Sequence, residues 1–464
     1  MAVSVVWFRR DLRVHDHPGL ARAVEAGDHV APLFIVDERL LDGRWPSPNR
    51  LWFMRGSLHH LAEELALRGA PLTVLRGDPH SIVPEFAASV GATRVIVSRD
   101  YAPYGRRRDA EVDARLGAHG ITFEAAPGGL MVEPESVATA AGTPYRIYGP
   151  FRKRWLAVTW RTVLPAPSAI RPVRFHQVRA ATPRVRSRID DVLEPITPTA
   201  DPRALPEPGE PAARRRLDQW ASGRTFDRYA QDRDRLDLQA TSRLGADLRW
   251  GLLSPTEVAE RCHGEGDGPR RFLDELAWRD FYAYLLWHEP RVARHSFRAS
   301  FEHVARSSDP ALVAAWTAGR TGYPVIDAAM RQLRATGWMP NRARMLVASF
   351  LSKDLGIDWR VGEAHFMTHL IDGDPASNNG GWQWAASTGT DAQPWFRVFD
   401  PTAQGRRHDP DGTYVRTWVP ELRGVAGAAV HEPPPGTYPR RIVDHADARA
   451  AALAAYRAAR DRSR

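Results

Sequence analysis

Through the first part of the chain, short apolar runs alternate with amphipathic stretches. AVSVVWF, VAPLFIVD, PLTVLRGD, ATRVIVSRD and ITFEAA are rich in β-branched residues and end on charged or turn-forming ones, the pattern of short buried strands. Between them, segments such as LWFMRGSLHHLAEELALRG repeat apolar residues at three and four positions, the spacing of one helix face. Strands that alternate with helices make βαβ units, so residues 1–135 are predicted to form an α/β domain with a doubly wound parallel sheet and right-handed crossovers. Ten prolines then lie between Pro165 and Pro211. Proline fixes φ and lacks an N–H, so this stretch is expected to be an extended connector, within an interdomain linker of residues 136–212. Beyond it FLDELAWRDFYAYLLWHEP, VIDAAMRQLRATG and ARMLVASFLSKDL carry helical periodicity almost without interruption, and residues 213–464 are predicted to be an all-α domain.

Composition narrows the picture. A chain of 464 residues exceeds what one core usually serves, which agrees with two domains. No apolar run approaches a membrane span. MAVSVVWF has no basic segment before it and meets Arg9, Arg10 and Asp11 at once, so it is expected to be a first strand of a cytoplasmic chain. The single cysteine, Cys262, excludes an internal disulfide and a Cys-rich zinc centre, and no HExxH or similar spacing predicts a metal site. The net charge of +9 is compatible with a polyanionic partner. All but two of the basic residues, Lys153 and Lys353, are arginine; a bias in genomic base composition could produce that, so charge alone moves the reading only modestly.

The chemistry concentrates between Trp338 and Asp400. Trp338, Trp359, Trp382, Trp384 and Trp395 are interleaved there with Asn341, Arg342, Arg344, Asp372, Asp374, Asn378 and Asn379. Each indole N–H needs a partner when buried, so indoles beside acids and amides suit a site for something aromatic, polar or redox-active; any one of them could equally be core. Glu275, Trp278 and Arg279 share one helix face and could bond and stack a nucleobase, or form a surface ion pair beside a half-buried indole. Asn341, Arg344 and Met345 likewise share a face, with Pro340 in the first turn. LIDGDPASNNGGWQW is a turn-rich loop around two acids and two amides, with Gly373 among the glycines that let backbone approach a ligand. FRRDLRVHDHPGL follows the first strand without GxGxxG, so the usual pyrophosphate cradle is missing. Arg9, Arg10, Asp37 and Asp100 fall at strand carboxyl ends, where either a pocket or salt bridges would explain them. TSRLG, residues 241–245, offers hydroxyls and N–H groups to a phosphate.

Taken with WFRRDLRVHDHPGL, YGPFRKRW at 148–155, TSRLG, FLDELAWRDFY and TGYPVIDAAMRQLRATGWMPNRARM, the segment IDGDPASNNGGWQWAASTGTD resembles the photolyase and cryptochrome flavoprotein family, and within it the bacterial photolyases acting on cyclobutane pyrimidine dimers. The likeness runs from about residue 3 to about residue 423.

That resemblance implies an α/β antenna domain, a long linker and a helical domain binding bent FAD. Tyr229, Thr241, Ser242, Arg243 and Leu244 resemble the flavin phosphate clamp, with Gly245 where a serine is common and Phe272 nearby. Arg344 and Asp372 resemble the pair beside the isoalloxazine, Gly373 and Asp374 further contacts, and Asn378 the residue facing N5. A neutral amide there suits a fully reduced flavin that donates an electron, which favours repair over pure signalling. Glu275, Trp278, Asn341, Met345 and Trp384 resemble the groups that hold a flipped dimer; Asn341 and Met345 stand where photolyases for (6-4) photoproducts carry histidines. Arg279, Arg342, Arg397 and Gln404 resemble contacts to the DNA backbone. Trp382 and Trp359 match the inner members of the tryptophan chain that reduces the flavin, but Arg306 stands at the outer position, so photoreduction is expected to exit through Trp316 or to be slow. SRDYAPYGRRRD, residues 98–109, resembles members carrying 8-hydroxy-5-deazaflavin as antenna, with methenyltetrahydrofolate the alternative and Arg10, Arg50 and Asp100 the pocket. The implied partner is DNA containing pyrimidine dimers, met by a monomer, with no membrane. The rival reading is a cryptochrome-like photoreceptor; Glu275, Met345, Asn378 and the lack of a long C-terminal extension favour the enzyme. A flavoprotein that binds nucleic acid without photochemistry has only the net charge behind it.

Overall fold

The computed structural model describes residues 2–173, 189–304 and 306–462. Five strands, β1 (Val3–Phe8), β2 (His29–Asp37), β3 (Thr73–Gly77), β4 (Arg94–Ser98) and β5 (Thr122–Ala126), form one parallel sheet in the order β3-β2-β1-β4-β5. The switch of winding direction at β1 is the doubly wound topology read from the sequence. Strand period divides the core: Val5 and Trp7 point into one apolar cluster, Val6 and Phe8 into another. This second cluster runs on without a break into the helical half, through Trp155, Phe281 and Tyr284.

Five helices carry or support the chemistry-bearing side chains: α1 (Tyr148–Leu156), α2 (Asp267–His288), α3 (Asn341–Ser349), α4 (Trp359–His369) and α5 (Pro375–Ala385). α4 and α5 start on aspartate caps: Asp358 accepts from the N–H of Arg360, and Asp374 from Ala376 and Ser377, with Pro375 in the first turn of α5. Pro340 proves to be the N-cap of α3 and so lies just outside its first turn.

The region expected to be linker holds a helix ahead of its proline-rich stretch. This helix, α1, carries Tyr148, Phe151 and Trp155 at helical spacing and lies on α2, where Phe151 meets Phe281 at 4.9 Å and Tyr284 at 5.0 Å. Part of the proline-rich stretch, residues 174–188, lies outside the described residues. The two halves are tied by buried carboxylates. Asp280 of α2 accepts from Met131 N at 2.9 Å, Val132 N at 3.3 Å and Trp155 Nε1 at 3.0 Å, and burial still raises its pKa to about 6. Glu210 accepts from Val14 N and His15 N at 2.7 and 2.9 Å. No helix among the described residues is long and apolar enough to cross a membrane.

Candidate functional site

A cavity of about 520 Å³ opens between α2, α3 and α5, within the range of small-molecule and cofactor sites. Helix period delivers its walls. α2 presents Glu275, Trp278 and Arg279, and α3 presents Asn341, Arg344 and Met345, each set at i, i+3, i+4. Asn378, Trp382 and Trp384 come from α5, and Asp372, Gly373 and Asp374 from the turn before it. α5 lies close to its neighbours because two glycines permit it. A Cβ on Gly362 of α4 would fall 2.0 Å from the Trp382 ring, and one on Gly380 would fall 2.1 Å from Tyr282.

Arg344 donates through Nη2 to Asp372 Oδ2 at 2.8 Å and through Nε to Met339 O at 2.8 Å, so the expected pair is assembled at the wall. Among the described residues, Asp372 Oδ1 and Arg342 Nε are buried without a hydrogen-bond partner; buried polar groups of this kind ordinarily find partners, and a ligand in the cavity would supply them. Gly245, in place of the common serine, lies against this carboxylate: a Cβ there would fall 2.6 Å from Asp372 Oδ2. Asn378 donates Nδ2 to Glu363 O at 3.0 Å, which fixes the amide. Directly behind, Glu363 accepts from Asn379 Nδ2 at 2.8 Å, and burial pushes its pKa up to about 7.

Glu275 is paired with Arg233 and lies 3.7 Å from Arg271. Trp278 and Trp384 are both half-buried at the cavity, and Asn341 Nδ2 approaches Met345 Sδ at 3.7 Å. Arg279 and Arg342 line the same space, Arg342 held by Asp234 at 2.6 Å. Arg397 and Gln404 lie outside it. The Arg397 side chain is exposed while its carbonyl accepts from Lys353 Nζ at 2.8 Å and Gln393 Nε2 at 2.7 Å; Gln404 is on the helix Pro401–His408.

Several expected residues are not themselves among the lining side chains. Tyr229 and Phe272 are buried with Trp220 in an aromatic cluster, rings 5.5 to 5.6 Å apart, next to the lining residues Ala230, Arg233 and Arg271. Thr241, Ser242, Arg243 and Leu244 lead into the short helix Gly245–Trp250. Arg243 has φ of 55° and its guanidinium lies 4.4 Å over the Trp338 ring. Trp316 meets Trp382 edge to face at 6.0 Å, but it is fully buried and its Nε1 donates to Val347 O at 3.1 Å. It does not itself reach the surface, so an exit through Trp316 would need a further carrier beyond it. Arg306 at the outer position is bound to Asp358 at 2.6 Å.

Of the expected antenna residues, Arg10 and Asp100 meet and Arg50 does not join them. Arg10 bridges Asp100 at 2.8 Å and Asp374 at 3.3 Å beside a crevice of only about 70 Å³. Arg50 is not among its walls; its guanidinium donates to the carbonyls of Met367, Leu370 and Trp45. Charged residues at strand ends have here taken the salt-bridge role that the sequence left open. Conversely, Arg233, Tyr148 and Glu363 escaped the sequence reading: Arg233 lies far from its partner in the chain, and only the YGPF string marked Tyr148.

Two family models match the chain: DNA photolyase over residues 4–169, and the FAD binding domain of DNA photolyase over residues 272–458. A deoxyribodipyrimidine photo-lyase from Escherichia coli (strain K12) is 39% identical across 99% of this chain and 99% of that protein. Among solved structures, a bacterial class III photolyase from Agrobacterium tumefaciens matches with a TM-score of 0.90 at 35% identity, covering 99% of this chain and 98% of that one. An archaeal photolyase from Sulfolobus tokodaii with two FAD molecules matches with a TM-score of 0.84 at 31% identity, covering 98% and 100%.

Proposed function

The chain belongs to the DNA photolyase family, and on that premise we propose that it is a deoxyribodipyrimidine photo-lyase, splitting cyclobutane pyrimidine dimers in DNA under blue light with FAD in the helical-domain cavity. The observation that carries this reading is the convergence of two unlike sets of groups on one cavity: the Arg344–Asp372 pair with Asn378, and Glu275 with Trp278 and Trp384.

The first set fits a flavin. A buried acceptor, Asp372 Oδ1, has no other partner among the described residues, and the fixed amide of Asn378 keeps its Oδ1 and second N–H for a ring atom. A bound FAD supplies absorption of blue light and the loan of one electron to the dimer. The protein supplies binding, orientation and exclusion of water.

The second set fits an extruded lesion. Two indoles offer stacking faces, and a carboxylate beside two guanidiniums accepts hydrogen bonds, for which the imide N–H of thymine is a suitable donor. Unstacking is cheaper where damage has already weakened pairing, so extrusion itself selects lesions. Arg279 and Arg342 at the cavity, with Arg397 and Gln404 beyond it, are assigned to phosphate contacts that position the strand. The crevice at Arg10 and Asp100, about 70 Å³, is small for 8-hydroxy-5-deazaflavin or methenyltetrahydrofolate as it stands, so an antenna chromophore would have to open it or sit elsewhere.

The test is competitive gel shift with a thymine-dimer oligonucleotide and its undamaged twin. The flavin-loaded protein should prefer the damaged strand, and Trp384→Leu should lose most of that preference. Equal binding of both strands by the unaltered protein would refute the assignment.

A further inference from the structure

The string YGPF belongs to the connector and not to the cavity lining, yet its first residue touches a cavity wall directly. The Tyr148 ring lies on the Trp278 ring with centroids 3.7 Å apart and planes 9° from parallel. The phenol donates to Asp274 O at 2.9 Å, one turn before Trp278 on the same helix. Tyr148 N donates to Asp391 Oδ2 at 3.1 Å, and Thr390 Oγ1 donates to Arg146 O. Asp391 and Thr390 belong to the loop that comes after Trp384 at the end of α5, a loop in which Ser387 and Asp391 both adopt positive φ. The connector thus backs one indole of the cavity and ties down the segment beyond the other.

We propose that Tyr148 is a positioning residue for lesion binding: it covers one face of Trp278, leaves the opposite face for the extruded base, and sets the gap between Trp278 and Trp384. Trp278 also meets Phe281 at 5.7 Å and Tyr282 at 5.4 Å, and the stacked phenol removes the remaining freedom of this half-buried indole to rotate into the cavity before DNA arrives. That ordering is then complete in the free protein and is not charged against binding. The proposal rests on the reading of Trp278 and Trp384 as lesion walls.

Tyr148→Leu and Tyr148→Phe test it, each loaded with flavin and compared for circular dichroism, melting temperature, dissociation constants for dimer-containing and undamaged oligonucleotides, and repair per photon at saturating DNA. A stacked aromatic pair contributes enough to predict a loss of about two- to tenfold in affinity for the dimer strand in Tyr148→Leu. Affinity for undamaged DNA and repair of the bound dimer should hold, and Tyr148→Phe, which keeps the ring, should restore the affinity. Parent-like dimer affinity in Tyr148→Leu would overturn the proposal, as would a Phe variant as weak as Leu. Where Tyr148→Leu fails to fold, Thr390→Val decides: it cuts the tie to Arg146 and should weaken dimer binding alone, and no change would overturn the inference. If the unaltered protein itself shows no preference for the dimer, the reading of the whole site fails, a result distinct from failure of the Tyr148 role.

Discussion

Replacing Gly362 by alanine tests the packing on which the photochemical core depends. The added methyl carbon would fall 2.0, 2.4 and 2.6 Å from Cη2, Cζ3 and Cζ2 of Trp382, whereas carbon atoms rest at about 3.5–4.0 Å. The indole would have to retreat by roughly 1.5 Å on that measure. It has little room to do so: Trp382 is 2% exposed, with Phe366 at 4.9 Å and Trp316 at 6.0 Å. Overpacking of this kind costs about 1–3 kcal/mol, while alanine in a helix interior gains roughly 1 kcal/mol over glycine. The net loss of stability is therefore small, roughly 0–2 kcal/mol from those two principles, and the position of the indole is the more decisive readout. Melting temperature, near-ultraviolet circular dichroism and the rate of flavin photoreduction by an external thiol would be compared between Gly362→Ala and the unaltered protein. The variant should melt at an equal or slightly lower temperature, show an altered aromatic spectrum and photoreduce more slowly. A variant that melts higher, with unchanged spectrum and photoreduction, would show that helix propensity alone is at work and that α4 does not press on Trp382.

The same geometry fixes three further outcomes. Arg344→Met leaves the Asp372 carboxylate without its cation in a largely buried setting, a change toward the low end of about 3–5 kcal/mol; weaker flavin retention and a lower melting temperature are expected, and full flavin occupancy after dialysis would contradict the role of the pair. Glu363, whose pKa is raised from 4.5 to about 7 by burial, stays protonated in the folded chain over a window where the unfolded chain ionises. Stability should accordingly fall as pH rises from about 4.5 to about 7, by at most roughly 3 kcal/mol, and level off above; denaturant titrations should find Glu363→Gln flatter across that window, and parallel curves would remove Glu363 from the account. Arg306→Trp restores an oxidisable ring at the outer position that a guanidinium cannot replace, so photoreduction should accelerate while repair by chemically reduced protein stays the same; unchanged photoreduction kinetics would show that another outlet already serves.

The sheet and the walls of the cavity were legible in the sequence because each depends on local period. β-branched runs broken by charged residues located every strand, and the i, i+3, i+4 spacing of Glu275, Trp278 and Arg279 located one wall. The pairing of Arg344 with Asp372 rested on family likeness, since no spacing rule joins residues on a helix and a distant turn. Sequence could not separate the two meanings of charge at strand ends: Arg10 and Asp100 read equally as a pocket or as salt bridges, and the outcome depends on which charged groups the folded chain brings to them. The burial of Trp316 was illegible for a related reason, because burial is a property of the packed helices and leaves no mark on a single tryptophan. Tyr148 lies among residues assigned to the linker, and its string carries no sign that the ring would stack on an indole of another helix.

Light-dependent repair is the property on which the assignments of Glu275, Trp278, Trp384 and the flavin cavity all depend. Flavin-loaded, chemically reduced protein mixed with a thymine-dimer oligonucleotide should convert dimers to monomeric thymines under blue light, and leave them intact in darkness. Dimers that survive illumination, with flavin fully bound and reduced and the oligonucleotide shown to be held, would contradict those assignments.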